Sequence, residues 1–222
     1  MSITFICARC GVESSIADKN ITRIGVMRHG KTGLNEKGVI IGSIDDPLDN
    51  DGRKQATDAA QQLKDIDRGY DAVVSSAQLR SAETAEIIAK TLTIPVYQDI
   101  RLNERGTGVT EGTPVFSGML AQFLQDSPVV GIEPLEQFEK RVMDAFMEIR
   151  EKYRTKSILF VTSALPMLTI IKFIKGWQKN LDKLLSFGVP PNCSVIEFFD
   201  VTPCSRCNGT FFERRATHIS QL

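Results

Sequence analysis

The sequence predicts an α/β fold, a three-layer sandwich with a mainly parallel sheet and helices on both faces. Two observations carry this expectation. Short apolar runs of strand length alternate along the chain with longer segments whose apolar residues recur at every third or fourth position, the pattern of strand–helix–strand units. With 222 residues, 42% hydrophobic and 24% charged, the chain can bury one sizeable core and has the composition of a folded domain. It shows no internal repeat and no low-complexity segment.

The ends of the chain carry a separate chemical signal. Cys7 and Cys10 lie in "CARCG" and Cys204 and Cys207 in "CSRCNG". In a reducing compartment two Cys-x2-Cys pairs read as one tetrahedral thiolate zinc site rather than as disulfides, and Gly11 and Gly209 allow the tight backbone of such knuckles. Four protein ligands leave the metal no open position, so the zinc is expected to be structural, with no catalytic metal. Residues 1–20 and 202–210 are thus expected to form the two halves of a zinc knuckle on a main domain spanning 21–222. This requires the fold to bring the N-terminal segment beside the strands near the C-terminus; redox-active or incidental thiols are the alternative. Cys193, in "NCSVIEFF", is expected to pack in a strand.

The remaining elements follow in order. "ITRIGVM" (21–27) is a short apolar-rich strand. "DNDGRKQATDAAQQLKDI" (49–66) is a helix capped near Asn50 or Asp51, whose Ala56, Ala59, Ala60 and Leu63 form one buried stripe. "YDAVVSS" reads as a second strand, "LRSAETAEIIAKTL" as the helix leaving it, and Ile94 to Tyr97 as a short third strand. The glycine-rich stretch from Arg101 to Gly131 suits a mobile region over a site. Leu135, Phe138, Val142, Ala145, Phe146 and Ile149 mark an amphipathic helix over 134–153, with Pro134 near its first turn. "SILFVTS" is the next strand, and "LPMLTIIKFIKG" is a helix ended by Gly176. Strands around "CSVIEFFDV" and "GTFFERRATH" close the chain.

Charge and hydropathy exclude several function classes. The 27 basic and 27 acidic residues cancel, so no global field recruits nucleic acid or an anionic membrane surface, and any anion site must be local. No apolar stretch reaches the roughly 20 residues needed to span a bilayer, and the N-terminus lacks the layout of a secretory signal. A cytoplasmic location is the resulting expectation. Oligomeric state is left open, a homodimer included.

In sheets of this kind ligands bind beyond the carboxyl ends of the strands. Three such ends are chemically notable: Arg28-His29, Ser75-Ser76 leading to Arg80, and Thr162-Ser163. "RHGKTGLN" resembles the R-H-G-x-T-x-x-N signature of the histidine phosphatase (phosphoglycerate mutase-like) superfamily, matching at Arg28, His29, Gly30, Thr32 and Asn35. "GSIDDPLDNDGRKQATDAAQQL", "VVSSAQLRSAETAEII" and "LNERGTGVTEG" resemble later blocks of the same family, in the same order. The resemblance implies a phosphoglycerate mutase-like domain over 21–222 and a phosphomonoesterase of the histidine acid phosphatase type. His29 would attack phosphorus to give a phosphohistidine. Arg28 and Arg80 would hold the phosphoryl oxygens, with Thr32 and Asn35 either in support or serving only the turn. Glu104 would protonate the leaving oxygen, although Glu111 lies in the same loop. The short stretch between Glu104 and Ser163 favours a hydrolase over a mutase. The implied partner is a phosphorylated small molecule or a phosphoprotein.

One departure stands out. Where the family carries a second histidine in a V-[ST]-H-G pattern, this chain reads Val161, Thr162, Ser163, Ala164. Ser163 and Ala164 would thus line the phosphate site without the positive charge the histidine supplies. Three explanations stay open: a naturally weakened enzyme, a pseudophosphatase that binds a phosphorylated ligand or protein without turnover, or a laboratory substitution. Ala164 at the family's glycine position points to a natural change. His218, in "ATHISQL", is the only other histidine. Phe116, Met119 and Phe123 have the spacing of a core-packing helix, or would favour an apolar leaving group if they face the pocket.

Overall fold

The computed structural model describes residues 2–17, 22–66, 69–154, 156–200 and 211–214. The strands are β1 (Ser2–Cys7), β2 (Glu13–Ala17), β3 (Thr22–Arg28), β4 (Ala72–Ser75), β5 (Val96–Gln98), β6 (Ile158–Thr162), β7 (Val195–Asp200) and β8 (Phe211–Arg214). The helices are α1 (Gly33–Glu36), α2 (Asn50–Asp65), α3 (Leu79–Leu92), α4 (Met119–Phe123), α5 (Leu135–Lys152), α6 (Ala164–Ile174) and α7 (Leu181–Phe187). The strands form one mixed sheet in the order β2-β1-β8-β7-β3-β6-β4-β5. Its β3-β6-β4-β5 half is parallel, as the strand–helix alternation predicts. From β3 outward through β7, β8, β1 and β2 the pairing is antiparallel.

Successive side chains of a strand point to opposite faces, and here each face has its own core. Ile24, Val26, Val74 and Phe160 pack with Phe138 and Phe146 of α5 and Leu168 of α6. Met27, Val73, Leu159 and Val161 pack on the other side with Ala56 and Ala60 of α2 and Ile88 of α3. The uninterrupted burial of "ILFVT" in β6 follows from its central position, covered on both sides. The small stripe of α2 lets that helix lie close to the sheet and to α3.

Local chemistry sets the boundaries. Asp49, rather than the expected Asn50 or Asp51, caps α2, its Oδ1 accepting from Gly52 N at 2.6 Å. Gly30 and Gly52 permit a close approach: a Cβ on Gly30 would lie 2.6 Å from Gly52 O, and one on Gly52 would lie 1.9 Å from Lys31 O. The first turn of α2 can therefore rest against the loop that follows β3. The third predicted strand is shifted to Val96–Gln98, an edge strand with exposed side chains. Helix α7 has no clear sequence signal, since Leu184 is its one buried residue.

The N-terminal segment is an antiparallel hairpin, β1–β2, continuous with the main sheet through β8. Cys7 and Cys10 close its turn, where Gly11 N donates to Cys7 O at 2.9 Å and Gly11 adopts φ +74°. Cys204, Cys207, Gly209 and His218 lie outside the described residues. Among the described residues no group of three or more His, Cys, Asp or Glu is placed to hold a metal ion, and no helix is long and apolar enough to cross a membrane.

Candidate active site

The carboxyl ends of β3 and β6 lie side by side and bring His29 next to Ser163. The parallel ladder pairs Arg28 with Thr162, and His29 N extends it by donating to Thr162 O at 2.9 Å. His29 is buried. Its Nδ1 lies 2.7 Å from Gly30 O. A carbonyl only accepts, so this contact places the ring proton on Nδ1 and leaves Nε2 with a free lone pair. Burial first, and then the charges of Arg80 and Arg28, hold the imidazole well below its ordinary pKa. A neutral ring with one nitrogen tied back and the other free is a poised nucleophile.

Arg80, on the first turn of α3, is 1% exposed. Its Nε donates to Ser163 Oγ (3.1 Å), Nη1 to Ile44 O (2.8 Å), and Nη2 to Gly42 O (2.9 Å) and Gln78 Oε1 (3.0 Å). Four of the five guanidinium N–H groups are thereby used, which leaves one on Nη1 for a ligand. Gly42 adopts φ +53°, and a Cβ there would lie 2.4 Å from Glu111 Oε1, so glycine is required to turn its carbonyl onto Arg80. Arg28 donates through Nη1 to Pro190 O at 2.9 Å, while its buried Nε has no hydrogen-bond partner. An unsatisfied buried donor on a cation beside a cleft suits an anion.

Glu104 enters the same pocket from the loop after β5. Its Oε1 accepts from Arg105 N (2.8 Å) and its Oε2 from Leu165 N (3.2 Å), in the first turn of α6. Burial pushes its carboxyl pKa up, against the opposing pull of Arg105 N–H, Arg80, Leu165 N–H and Arg28. Ser163 caps α6 by position, but its side chain makes no cap bond and turns to Arg80 instead. The pocket lies at the positive end of the α6 dipole, with Ala164 in its wall.

Of the residues expected at the phosphate, Arg28, His29, Asn35, Arg80, Glu104, Ser163 and Ala164 line one pocket. Thr32 is not among them, and its place is the turn. It is fully buried, and its Oγ1 accepts from Asn35 N at 3.2 Å, while Asn35 Oδ1 accepts from Thr32 N at 3.3 Å. Thr32 therefore closes a capping box on α1 and does not line the pocket. Glu111 is separated from Glu104 by its partners: it accepts from Ser43 N, Ser43 Oγ and Thr107 N and braces the loop beside Gly42.

Three supporting residues escaped the sequence reading. Gln78 Oε1 accepts from both Arg80 and Glu104 N, and its Nε2 donates to Gly42 O, so one amide ties three parts of the site together. Thr84 Oγ1 donates to Arg80 O and accepts from Gly30 N. Asn192 Nδ2 donates to His29 O at 2.8 Å. Thr84 stands one helical turn after Arg80, a spacing that places it on the same face; Gln78 and Asn192 had no comparable signal. Away from the charged end, Met119, Leu120 and Phe123 line the pocket, while Phe116 packs edge-on against Phe123 with ring centroids 6.4 Å apart.

The architecture and the site motif recur in known proteins. The chain is 28% identical over 161 residues to PhoE of Bacillus subtilis (strain 168), described as an uncharacterized phosphatase, a match that covers 72% of this chain and 81% of the relative. It is 31% identical over 156 residues to a metal-independent phosphoserine phosphatase of Arabidopsis thaliana, covering 65% of each protein. Among solved structures, Bacillus stearothermophilus YhfR superposes with a TM-score of 0.69 at 27% identity, covering 86% of this chain and 94% of that one. Residues 24–201, well over half of the chain, match the family model of the histidine phosphatase superfamily (branch 1), and they contain all the residues that line the pocket; the chain belongs to that superfamily.

Proposed function

We propose that this protein is a phosphomonoester hydrolase working through a phosphohistidine on His29, slowed by the loss of the second histidine. The reading rests above all on a buried, neutral His29 whose Nδ1 is tied to Gly30 O, in one pocket with Arg28, Arg80 and Glu104. In the first step Nε2 attacks phosphorus, the bond to the ester oxygen breaks, and Glu104 gives its proton to the departing alkoxide. In the second, Glu104 takes a proton from water, which attacks the phosphohistidine and releases inorganic phosphate. Arg28, the remaining Nη1 proton of Arg80, Asn35 and Ser163 would hold the three phosphoryl oxygens. The names of the relatives as phosphatases support this class of reaction.

A phosphate-binding protein without turnover is the second reading. Its support is Ser163, which carries no charge and already accepts from Arg80. Removing a preorganised donor typically costs about 10² to 10³ in rate. Ser163→His is therefore expected to raise phosphate release from an aryl phosphate by roughly tenfold or more. If the chain with Ser163 releases no phosphate while binding vanadate, the binding reading stands and the hydrolase reading fails.

The electrostatics set a pH dependence. His29 must be neutral, a condition lost as pH falls through its pKa, which lies below 6.5. Glu104 must be protonated, a condition lost as pH rises through its pKa, which lies above 4.5. The kcat/KM for phenyl phosphate is expected to decline as pH rises through the raised Glu104 pKa, and to decline on the acid side only where His29 becomes protonated. Glu104→Gln should cost more with phenyl phosphate than with p-nitrophenyl phosphate, whose leaving group needs less protonation. Equal losses on both substrates would remove Glu104 from the donor role.

We also propose a structural zinc held by Cys7, Cys10, Cys204 and Cys207. The support is the Cys-x2-Cys spacing together with the β1–β8 register, in which Cys7 stands opposite Phe212 and thus near the strand that follows the second pair in sequence. With four thiolates the ion would cross-link the chain ends and supply no catalysis. Metal analysis of protein purified without chelator is expected to give about one zinc per chain, with a lower melting temperature after its removal. A metal content far below that overturns the assignment.

A further inference from the structure

Beyond its phosphate-sized end the pocket changes character. Ile41, Met119, Leu120, Phe123 and Leu165 form its walls, and Val189 stands at its mouth. The walls come from the loop after α1, from α4, and from the start of α6, three segments far apart in sequence. The apolar surface continues outward: Val115 and Phe116 are 51% and 43% exposed, and Val189 is 37% exposed. Single exposed apolar residues are ordinary on a protein surface, but a set contiguous with an apolar cleft marks a ligand face.

The distribution of charge is equally one-sided. Among the described residues, Arg28 and Arg80 are the only cationic residues lining the pocket, and both stand beside His29. Arg80 has already committed four N–H groups and Arg28 its Nη1, so what remains suits one phosphoryl group. A second anionic group on the substrate would face apolar walls and Glu104, without a counter-ion among the described residues. Burying an unpaired carboxylate is strongly unfavourable, whereas a ring or branched alkyl chain meets matching surface.

We propose that the substrate is the monophosphate of an apolar, uncharged small alcohol or phenol, and that the pocket selects against phosphate esters bearing a carboxylate. This rests on the phosphatase reading above and specifies its leaving group. Helix α4 is the specificity element: it supplies Met119, Leu120 and Phe123 from one turn of backbone, whereas His29, Arg80 and Ser163 read only the phosphate.

The test compares benzyl phosphate with O-phosphoserine and 3-phosphoglycerate on the full-length protein. These are esters of aliphatic alcohols, so the comparison does not reward an intrinsically better aryl leaving group. Benzyl phosphate is expected to have a kcat/KM about 100-fold or more above the two carboxylated esters, since apolar matching and an unpaired charge both discriminate. Leu120→Lys, at a half-buried wall position from which an ammonium can reach the pocket, is expected to narrow that ratio by about tenfold by improving the carboxylated esters. Calorimetry with benzylphosphonate and with a carboxylated phosphonate provides the same comparison without turnover. Equal or reversed preference in both assays overturns the substrate assignment and leaves the phosphatase reading intact. A phosphotyrosyl peptide that outruns benzyl phosphate also overturns it, in favour of a protein substrate. Absence of both ester hydrolysis and vanadate binding removes the phosphatase reading and this inference with it.

Discussion

His29→Ala is expected to reduce phosphate release from an aryl phosphate by about 10³-fold or more, because removal of a covalent nucleophile deletes the reaction path rather than weakening one contact. The fold should survive. The side chain lost is a single imidazole whose hydrogen bond is to the neighbouring carbonyl of Gly30, and the ladder bond from His29 N to Thr162 O is made by backbone. Rapid quench with a labelled ester followed by alkaline denaturation should trap an acid-labile phosphoryl adduct on the chain that keeps His29 and none on the variant. A variant that keeps more than a tenth of the natural rate with unchanged folding would exclude His29 as nucleophile. Retention of vanadate binding by the variant would assign the affinity to Arg28 and Arg80.

Arg80→Ala combines the largest expected loss of stability with a loss of activity. The guanidinium is 1% exposed and donates to two carbonyls, an amide oxygen and a hydroxyl. Truncation leaves Gly42 O, Ile44 O and Ser163 Oγ without this donor inside the protein, and breaking a buried charged network in this way costs about 3 to 5 kcal/mol. For a chain of this size that corresponds to a melting temperature lower by roughly 10 °C. Arg80→Lys separates the two effects. Lysine keeps the charge but cannot reproduce the planar fork, so it should recover part of the stability and little of the activity. A thermal melt within 2 °C of the natural protein for Arg80→Ala, on the scale where about 1 kcal/mol moves the midpoint by 2 to 4 °C, would show that the network around Arg80 is dispensable for folding.

The two arginines illustrate how burial and function coincide here. Desolvation disfavours both cations, and Glu104 offsets the penalty as the largest opposing charge for each. The same carboxylate is pushed toward its protonated form by burial and pulled back by those arginines. An anion placed between Arg28 and Arg80 would relieve the cations and repel the Glu104 carboxylate, which favours the protonated acid when substrate is bound. In the proposed reaction, phosphate binding and proton donation would thus be coupled through charge.

Much of the fold was legible along the chain. The apolar runs of β3, β4 and β6 are buried on both sides, and a strand so covered must be apolar throughout. The Leu79–Leu92 and Leu135–Lys152 helices carry long stripes at helical spacing, and their ends agree with the expected segments to within a residue or two. The β1–β2 hairpin has no strand signal of its own in the sequence, where residues 1–20 read as one half of a zinc knuckle joining the chain ends. Its strandedness depends on pairing with β8 at the far end of the chain, and no local window contains that partner. Helix α7 failed for the opposite reason, since a single buried leucine sets no period.

The polar side chains divide along a different line. By itself the sequence determined the superfamily pattern, the adjacency of Arg28 and His29, and the presence of serine where a second histidine is usual, because these are matters of residue identity and order. Only the tertiary structure decided that Glu111 braces a loop while Glu104 faces the pocket, that Gln78 links Arg80 to the Glu104 backbone, and that Met119 and Phe123 line the cleft. The Gln78–Glu104 and Arg80–Ser163 bonds join residues 26 and 83 positions apart, a separation that no local pattern records. Periodicity records which face of an element is buried; the choice of hydrogen-bond partner at the end of an element is made by its neighbours in space.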